Sequence, residues 1–205
     1  MRMESYKLDK KDQMSKLYEN YKEQFEDKEI VFGDGNVDAQ LLLIGEAPGK
    51  DEVRLSKPFV GMAGKNLSEF LEVLEMDRES IYITNAIKYR LSKINPKTGR
   101  TVNRPATQEE VRQNREYLLK EIIIINPTYI VTLGNVPLRA VTDDYDISIG
   151  EVHGESELIS ISNTEYYLFP LYHPASIIYN RGLKDIYVQD IKKLKDILRQ
   201  KSKKF

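Results

Sequence analysis

Glu46, Asn85 and His173 are the residues whose types and positions could do chemistry in this chain. A carboxylate, a carboxamide and an imidazole offer charge stabilisation, two-way hydrogen bonding and proton donation. Each follows a short apolar run. Leu41-Leu42-Leu43-Ile44-Gly45 leads into Glu46, Ile81-Tyr82-Ile83-Thr84 into Asn85, and Tyr166-Tyr167-Leu168-Phe169-Pro170-Leu171-Tyr172 into His173. Such runs read as buried strands. Pro48 and Gly49 turn the chain after Glu46. Ligands in open α/β sheets bind at the carboxyl ends of the strands. The three side chains are therefore expected to converge in one cleft. The plain alternatives are a solvated turn glutamate, a turn amide and a packed histidine.

The elements that must position them follow from periodicity. Met14, Leu17, Tyr18, Tyr21 and Phe25 recur at helical spacing, so residues 11–26 form an amphipathic helix. Residues 50–62 read as a mixed-charge loop, and 64–75 as a helix. Residues 86–105 form a long connector with six Lys or Arg and no acid. Thr107-Gln108-Glu109-Glu110 is a capping-box start for a helix running to about Ile124. Tyr129 to Gly134 is a further strand, residues 137–141 a short helix, 157–161 an edge strand and 184–199 a last helix. Strands alternating with helices predict a mostly parallel sheet covered on both faces.

Bulk composition narrows the chemistry. The 205 residues suit one domain, with residues 1–37 as a helix and connector and 38–199 as its core. No apolar run has the length of a membrane span, and the amino terminus lacks a signal-peptide pattern, so a cytoplasmic protein is expected. There are no cysteines and two histidines, which leaves no thiolate site and makes a metal centre an unexpected feature. A net charge of −1 means that any nucleic-acid contact must come from a local basic face.

Five segments in order carry a resemblance: Gly45-Glu46-Ala47-Pro48-Gly49, Lys57-Pro58-Phe59-Val60-Gly61, Ile83-Thr84-Asn85, Val131-Thr132-Leu133-Gly134 and His173-Pro174-Ala175-Ser176. Together with Asn103-Arg104-Pro105 they resemble the uracil-DNA glycosylase superfamily, and family 4 most. The resemblance implies a three-layer α/β/α sandwich around a four-stranded, mostly parallel sheet. It implies a monomer that flips uracil from DNA and hydrolyses its N-glycosidic bond to leave an abasic site, the first step of base excision repair. Glu46 would then stabilise the cationic sugar and orient water, and His173, as a neutral imidazole, would donate an N–H hydrogen bond to uracil O2. Asn85 would pair with O4 and N3–H, Phe59 would stack on the base, and the Ala47 backbone would contact it. Ser176, Ile177, Ile178 and Arg181 would meet the DNA backbone and minor groove. Lys88, Arg90 and Arg104 of the basic connector are candidate phosphate contacts.

The chain departs from family 4 in one respect. Its members hold a [4Fe–4S] cluster on four cysteines, and the present register puts Tyr89 and Asn114 at two of those positions, with Tyr18 and Tyr21 near the other two. No cofactor is expected here. Aromatic packing in place of the cluster and plain core both suit these residues. Two other functions fit the same sequence: a non-catalytic nucleic-acid or base-binding protein on this fold, and a nucleoside or nucleotide hydrolase.

Overall fold

The computed structural model describes residues 9–179 and 182–202, without the side chains of residues 63, 177–179, 201 and 202. Helix α1 (Lys10–Gln24) starts at Asp9, whose side chain accepts from the Asp12 N–H, and it buries Met14, Leu17 and Tyr21. There follow β1 (Asp34–Gly35), β2 (Leu41–Gly45), α2 (Lys50–Leu55), α3 (Gly61–Leu74) and β3 (Tyr82–Asn85). A hairpin of β4 (Ser92–Ile94) and β5 (Thr101–Asn103) leads to α4 (Gln108–Ile125). Next come β6 (Tyr129–Leu133), α5 (Asn135–Thr142), α6 (Ile149–Val152), β7 (Glu157–Ile161) and β8 (Thr164–Leu171). The last elements are α7 (Pro174–Tyr179) and α8 (Leu183–Ser202).

The main sheet has six strands in the order β1-β3-β2-β6-β8-β7. The inner four, β3, β2, β6 and β8, are parallel. The four-stranded expectation describes this inner part, and antiparallel β1 and β7 extend it at the two edges. Alternation along each inner strand sends side chains to both faces. Leu42, Ile44 and Ile130 pack with Met14, Leu118 and Leu138, from α1, α4 and α5. Leu41, Leu43, Val131 and Phe169 pack with Leu67, Phe70, Ile191 and Leu194, from α3 and α8. The result is a helix–sheet–helix sandwich.

Two stretches expected as irregular are ordered elements. The basic connector pairs Ser92 with Asn103 and Ile94 with Thr101 in an antiparallel hairpin. The 50–62 loop contains α2, a helix too short and charged to show periodicity. Its start is fixed by Glu52, which accepts from the Gly49 N–H at 3.1 Å.

The positions aligned with the cluster ligands come together. The Tyr21 hydroxyl donates to Asn114 Oδ1 and accepts from the Lys88 N–H at 3.0 Å. Asn114 Nδ2 lies 3.4 Å from the Tyr89 hydroxyl. Tyr18 stands apart from this group, with its hydroxyl on Tyr82 and Glu121. Burial raises the Tyr21 and Tyr89 phenols, which keeps them protonated, and an amide is neutral. Iron–sulfur clusters are held by thiolates, and this donor set does not fit one. The hydrogen-bonded group instead ties α1 to α4 and to the segment after β3. Tyr21→Phe would leave the Lys88 N–H and the Asn114 carbonyl without a partner. It is expected to cost about 1–3 kcal/mol, read as a lower denaturation midpoint in urea; an unchanged midpoint would contradict this role.

Candidate active site

The parallel register determines where the site lies. Gly45 pairs with Asn85 across β2 and β3, and Leu133 pairs with Leu171 across β6 and β8. Glu46, Asn85 and His173 therefore emerge at the same edge of the sheet. Two adjoining depressions open there. One, of about 320 Å³, is lined by Phe59 and Asn85 together with Glu52 and Val60. The other, of about 350 Å³, is lined by Glu46, Pro48, Arg104 and Pro105. Ala47, Asn103 and His173 border both.

Asn85 is buried, and its carboxamide has no hydrogen-bond partner among the described residues. It closes on Phe59 over Gly45. A Cβ on Gly45 would fall 2.5 Å from Asn85 Oδ1 and 2.6 Å from Phe59 Cζ, so only glycine lets the amide and the ring approach. Phe59 itself takes a left-handed φ of 52°, a strained conformation for an aromatic residue. Arg78 holds it there by donating to the carbonyls of Pro58 and Phe59 at 2.6 and 3.1 Å. Glu52 joins the two walls, accepting from Gly49 N–H and from Val60 N–H, both at 3.1 Å. The Ala47 N–H has no protein acceptor among the described residues.

His173 is oriented by its own turn. Its Nδ1 accepts from the Ala175 N–H at 3.1 Å. In the neutral ring the proton then sits on Nε2, and that nitrogen is a donor. Burial lowers the pKa of the imidazole and so favours this neutral form. Glu46 accepts from the Ala106 N–H at 3.0 Å. Desolvation raises its pKa and this hydrogen bond partly opposes the rise. A partly desolvated carboxylate and a neutral imidazole donor on one cleft suit the separation of charge: a cation beside the first, an anion beside the second.

The remaining sequence candidates divide. Lys88 is not a phosphate contact. It is 1% exposed, and its ammonium is held inside the fold by Glu121 and the Asn85 carbonyl. Arg90 donates to Asn103 Oδ1 at 3.1 Å, and Arg104 makes a two-point pair with Glu110 at 2.6 and 2.8 Å. Lys93, Lys97 and Arg100 are the exposed cations of the hairpin and have no ion pair among the described residues. Ser176 donates its N–H to the His173 carbonyl at 2.8 Å. The side chains of Ile177 and Ile178, and Arg181 as a whole, lie outside the described residues. Arg78, Glu52 and Asn103 were not foreseen as parts of the site. Arg78 and Asn103 act through main-chain or amide contacts 13 to 20 positions away, and Glu52 through main-chain N–H groups of the turns on either side of its short helix; none of these leaves a periodic signal.

The fold and the site define an α/β enzyme with its carboxylate and imidazole at the carboxyl edge of a parallel sheet. The family model described as the Uracil DNA glycosylase superfamily matches residues 32–195. The chain is 35% identical over 178 residues to the type-4 uracil-DNA glycosylase of Saccharolobus solfataricus, covering 85% of this chain and 78% of that protein. It is 35% identical to the type-4 enzyme of Thermotoga maritima over 83% of this chain and 84% of that one. For the type-4 enzyme of Archaeoglobus fulgidus the identity is 34%, over 83% of each. The chain belongs to the uracil DNA glycosylase superfamily and is a glycosylase by that membership.

The partly buried charge on Glu46 has a cost that can be measured. A carboxyl whose pKa is raised by folding destabilises the folded state above that pKa, and the penalty disappears as the pH falls through it. Glu46→Gln keeps an acceptor for Ala106 and removes the charge. Its thermal midpoint at pH 7 is expected to rise by about 1–4 °C, with the difference from wild type shrinking as the pH falls toward the ordinary carboxyl value of 4.5. A lower midpoint at pH 7 would contradict the desolvated setting of Glu46.

Proposed function

We propose that the protein is a monofunctional uracil-DNA glycosylase, acting as a cytoplasmic monomer that starts base excision repair and needs no cluster. The observation that carries this reading is the division of the cleft, with Asn85 and Phe59 in one lobe, Glu46 in the other, and His173 at their border. A flipped uracil would lie between Phe59 and the Asn85 amide, with its deoxyribose in the Glu46 lobe. Asn85 would donate to O4 and accept from N3–H; cytosine offers an amino donor and a bare nitrogen at those atoms, so both contacts fail.

As the N1–C1′ bond breaks, its electron pair enters the pyrimidine and the sugar becomes cationic. Glu46 stabilises the sugar and takes a proton from the water that attacks C1′. His173 donates from Nε2 toward O2, where the leaving charge collects. The hydroxyl ends on C1′, the proton taken by Glu46 passes through solvent to the uracil anion, and uracil and an abasic site are released. The free cations Lys93, Lys97 and Arg100, together with Arg104 at the cleft, would meet phosphates on either side of the flipped nucleotide. Ser176, Ile177, Ile178 and Arg181 remain the proposed minor-groove segment.

A strand-cleavage assay tests this reading. Uracil-containing oligonucleotides, single- and double-stranded, would be incubated with the enzyme beside hypoxanthine and thymine controls, and abasic sites revealed by alkali. Glu46→Ala and His173→Ala are each expected to lower uracil release by about 10²-fold or more. Release that both variants retain would overturn the assignment. Binding without release by the wild-type protein would favour a base-binding function.

A further inference from the structure

Lys88 and Glu121 form an ion pair inside the fold, at 2.6 Å, with side chains 2% and 0% exposed. Neither lines the cleft. Replacing such a pair by apolar residues of similar volume is often neutral or stabilising, so stability alone gives it no purpose. Its connections suggest one. The Lys88 ammonium donates to the main-chain carbonyl of Asn85 at 2.6 Å. Glu121, the partner of that ammonium, also accepts from the Thr84 hydroxyl at 3.0 Å and from the Tyr18 hydroxyl at 2.5 Å. One carboxylate thus reaches Thr84 by its side chain and Asn85 through Lys88.

Asn85 ends its strand, and the direction of its side chain depends on the peptide planes that flank it. The following main chain is held at each step. Ala86 N–H donates to Gly45 O at 2.8 Å, Ile87 N–H to Glu46 O at 3.0 Å and Lys88 N–H to the Tyr21 hydroxyl at 3.0 Å. The Asn85 carbonyl is held by the ammonium of Lys88. We infer that the Lys88–Glu121 pair is a positioning device for base discrimination: it sets the peptide plane of Asn85, and through it the carboxamide that reads the base. The two bonds from Ala86 and Ile87 to the Gly45–Glu46 turn make the same segment the link between the base-reading and sugar-side lobes. The inference rests on the uracil reading above.

The test is a double-mutant cycle through Asn85, read by single-turnover release of uracil and of cytosine from matched oligonucleotides. Wild-type uracil release comes first, and its absence would sink the uracil reading, and this inference with it. Lys88→Met/Glu121→Met removes both charges together and leaves neither one buried alone. It is expected to slow uracil release by about 10-fold or more and to narrow the uracil-to-cytosine ratio, while changing release by less than about 2-fold when Asn85 is already Ala. An equal loss in both backgrounds, or no loss in either, would overturn the positioning role. Should the double variant fail to fold, Glu121→Gln keeps the shape and the acceptor oxygen. It is expected to narrow the ratio with Asn85 present and to leave release unchanged in Asn85→Ala; equal effects in the two backgrounds would again overturn it.

Discussion

The parallel register of β3, β2, β6 and β8 is the constraint on which the site depends. Interstrand hydrogen bonds place Gly45 opposite Asn85 and end β6 and β8 together at Leu133 and Leu171. A slip of one residue would exchange the two faces of a strand and bury the wrong side chains. The hydrophobic pattern therefore sets the register, and the register sets which residues appear at the edge. Glu46, Asn85 and His173 need no contact with one another to be gathered there.

Beyond the sheet, short polar struts fix each group. Arg78 holds the strained Phe59, Glu52 ties the Gly49 and Val60 walls together, and Ala175 selects the tautomer of His173. Preorganisation of this kind sets dipoles where charge will develop, so they need not reorient during reaction. It also explains why Glu52 can be buried here: it accepts from main-chain N–H groups that the turns leave unpaired. The group of Tyr21, Asn114 and Tyr89 does a comparable job farther from the cleft with neutral side chains.

Much of this was legible in the sequence, and the reasons for the exceptions are physical. The inner strands are unbroken apolar runs, and the helices α1, α4 and α8 show clear periodicity. The strand-end positions of Glu46, Asn85 and His173 follow from those runs. The two-residue β1 carries too little sequence to register as a strand, and α2 is held by its cap rather than by an apolar face. Lys88 was misread because a lysine among six basic residues looks like surface. Its burial depends on Glu121, 33 positions away on a helix where a glutamate usually faces water. Side-chain to main-chain struts such as those of Arg78 are set by folded geometry and by no local pattern.

The measurement to make first is free uracil released from uracil-containing DNA by protein purified in chelator, with iron assayed in the same sample. The organisation of the site by hydrogen bonds and packing predicts stoichiometric release with no iron present. Protein that is folded and binds uracil-containing DNA, yet releases uracil only after iron and sulfide are restored, would contradict it.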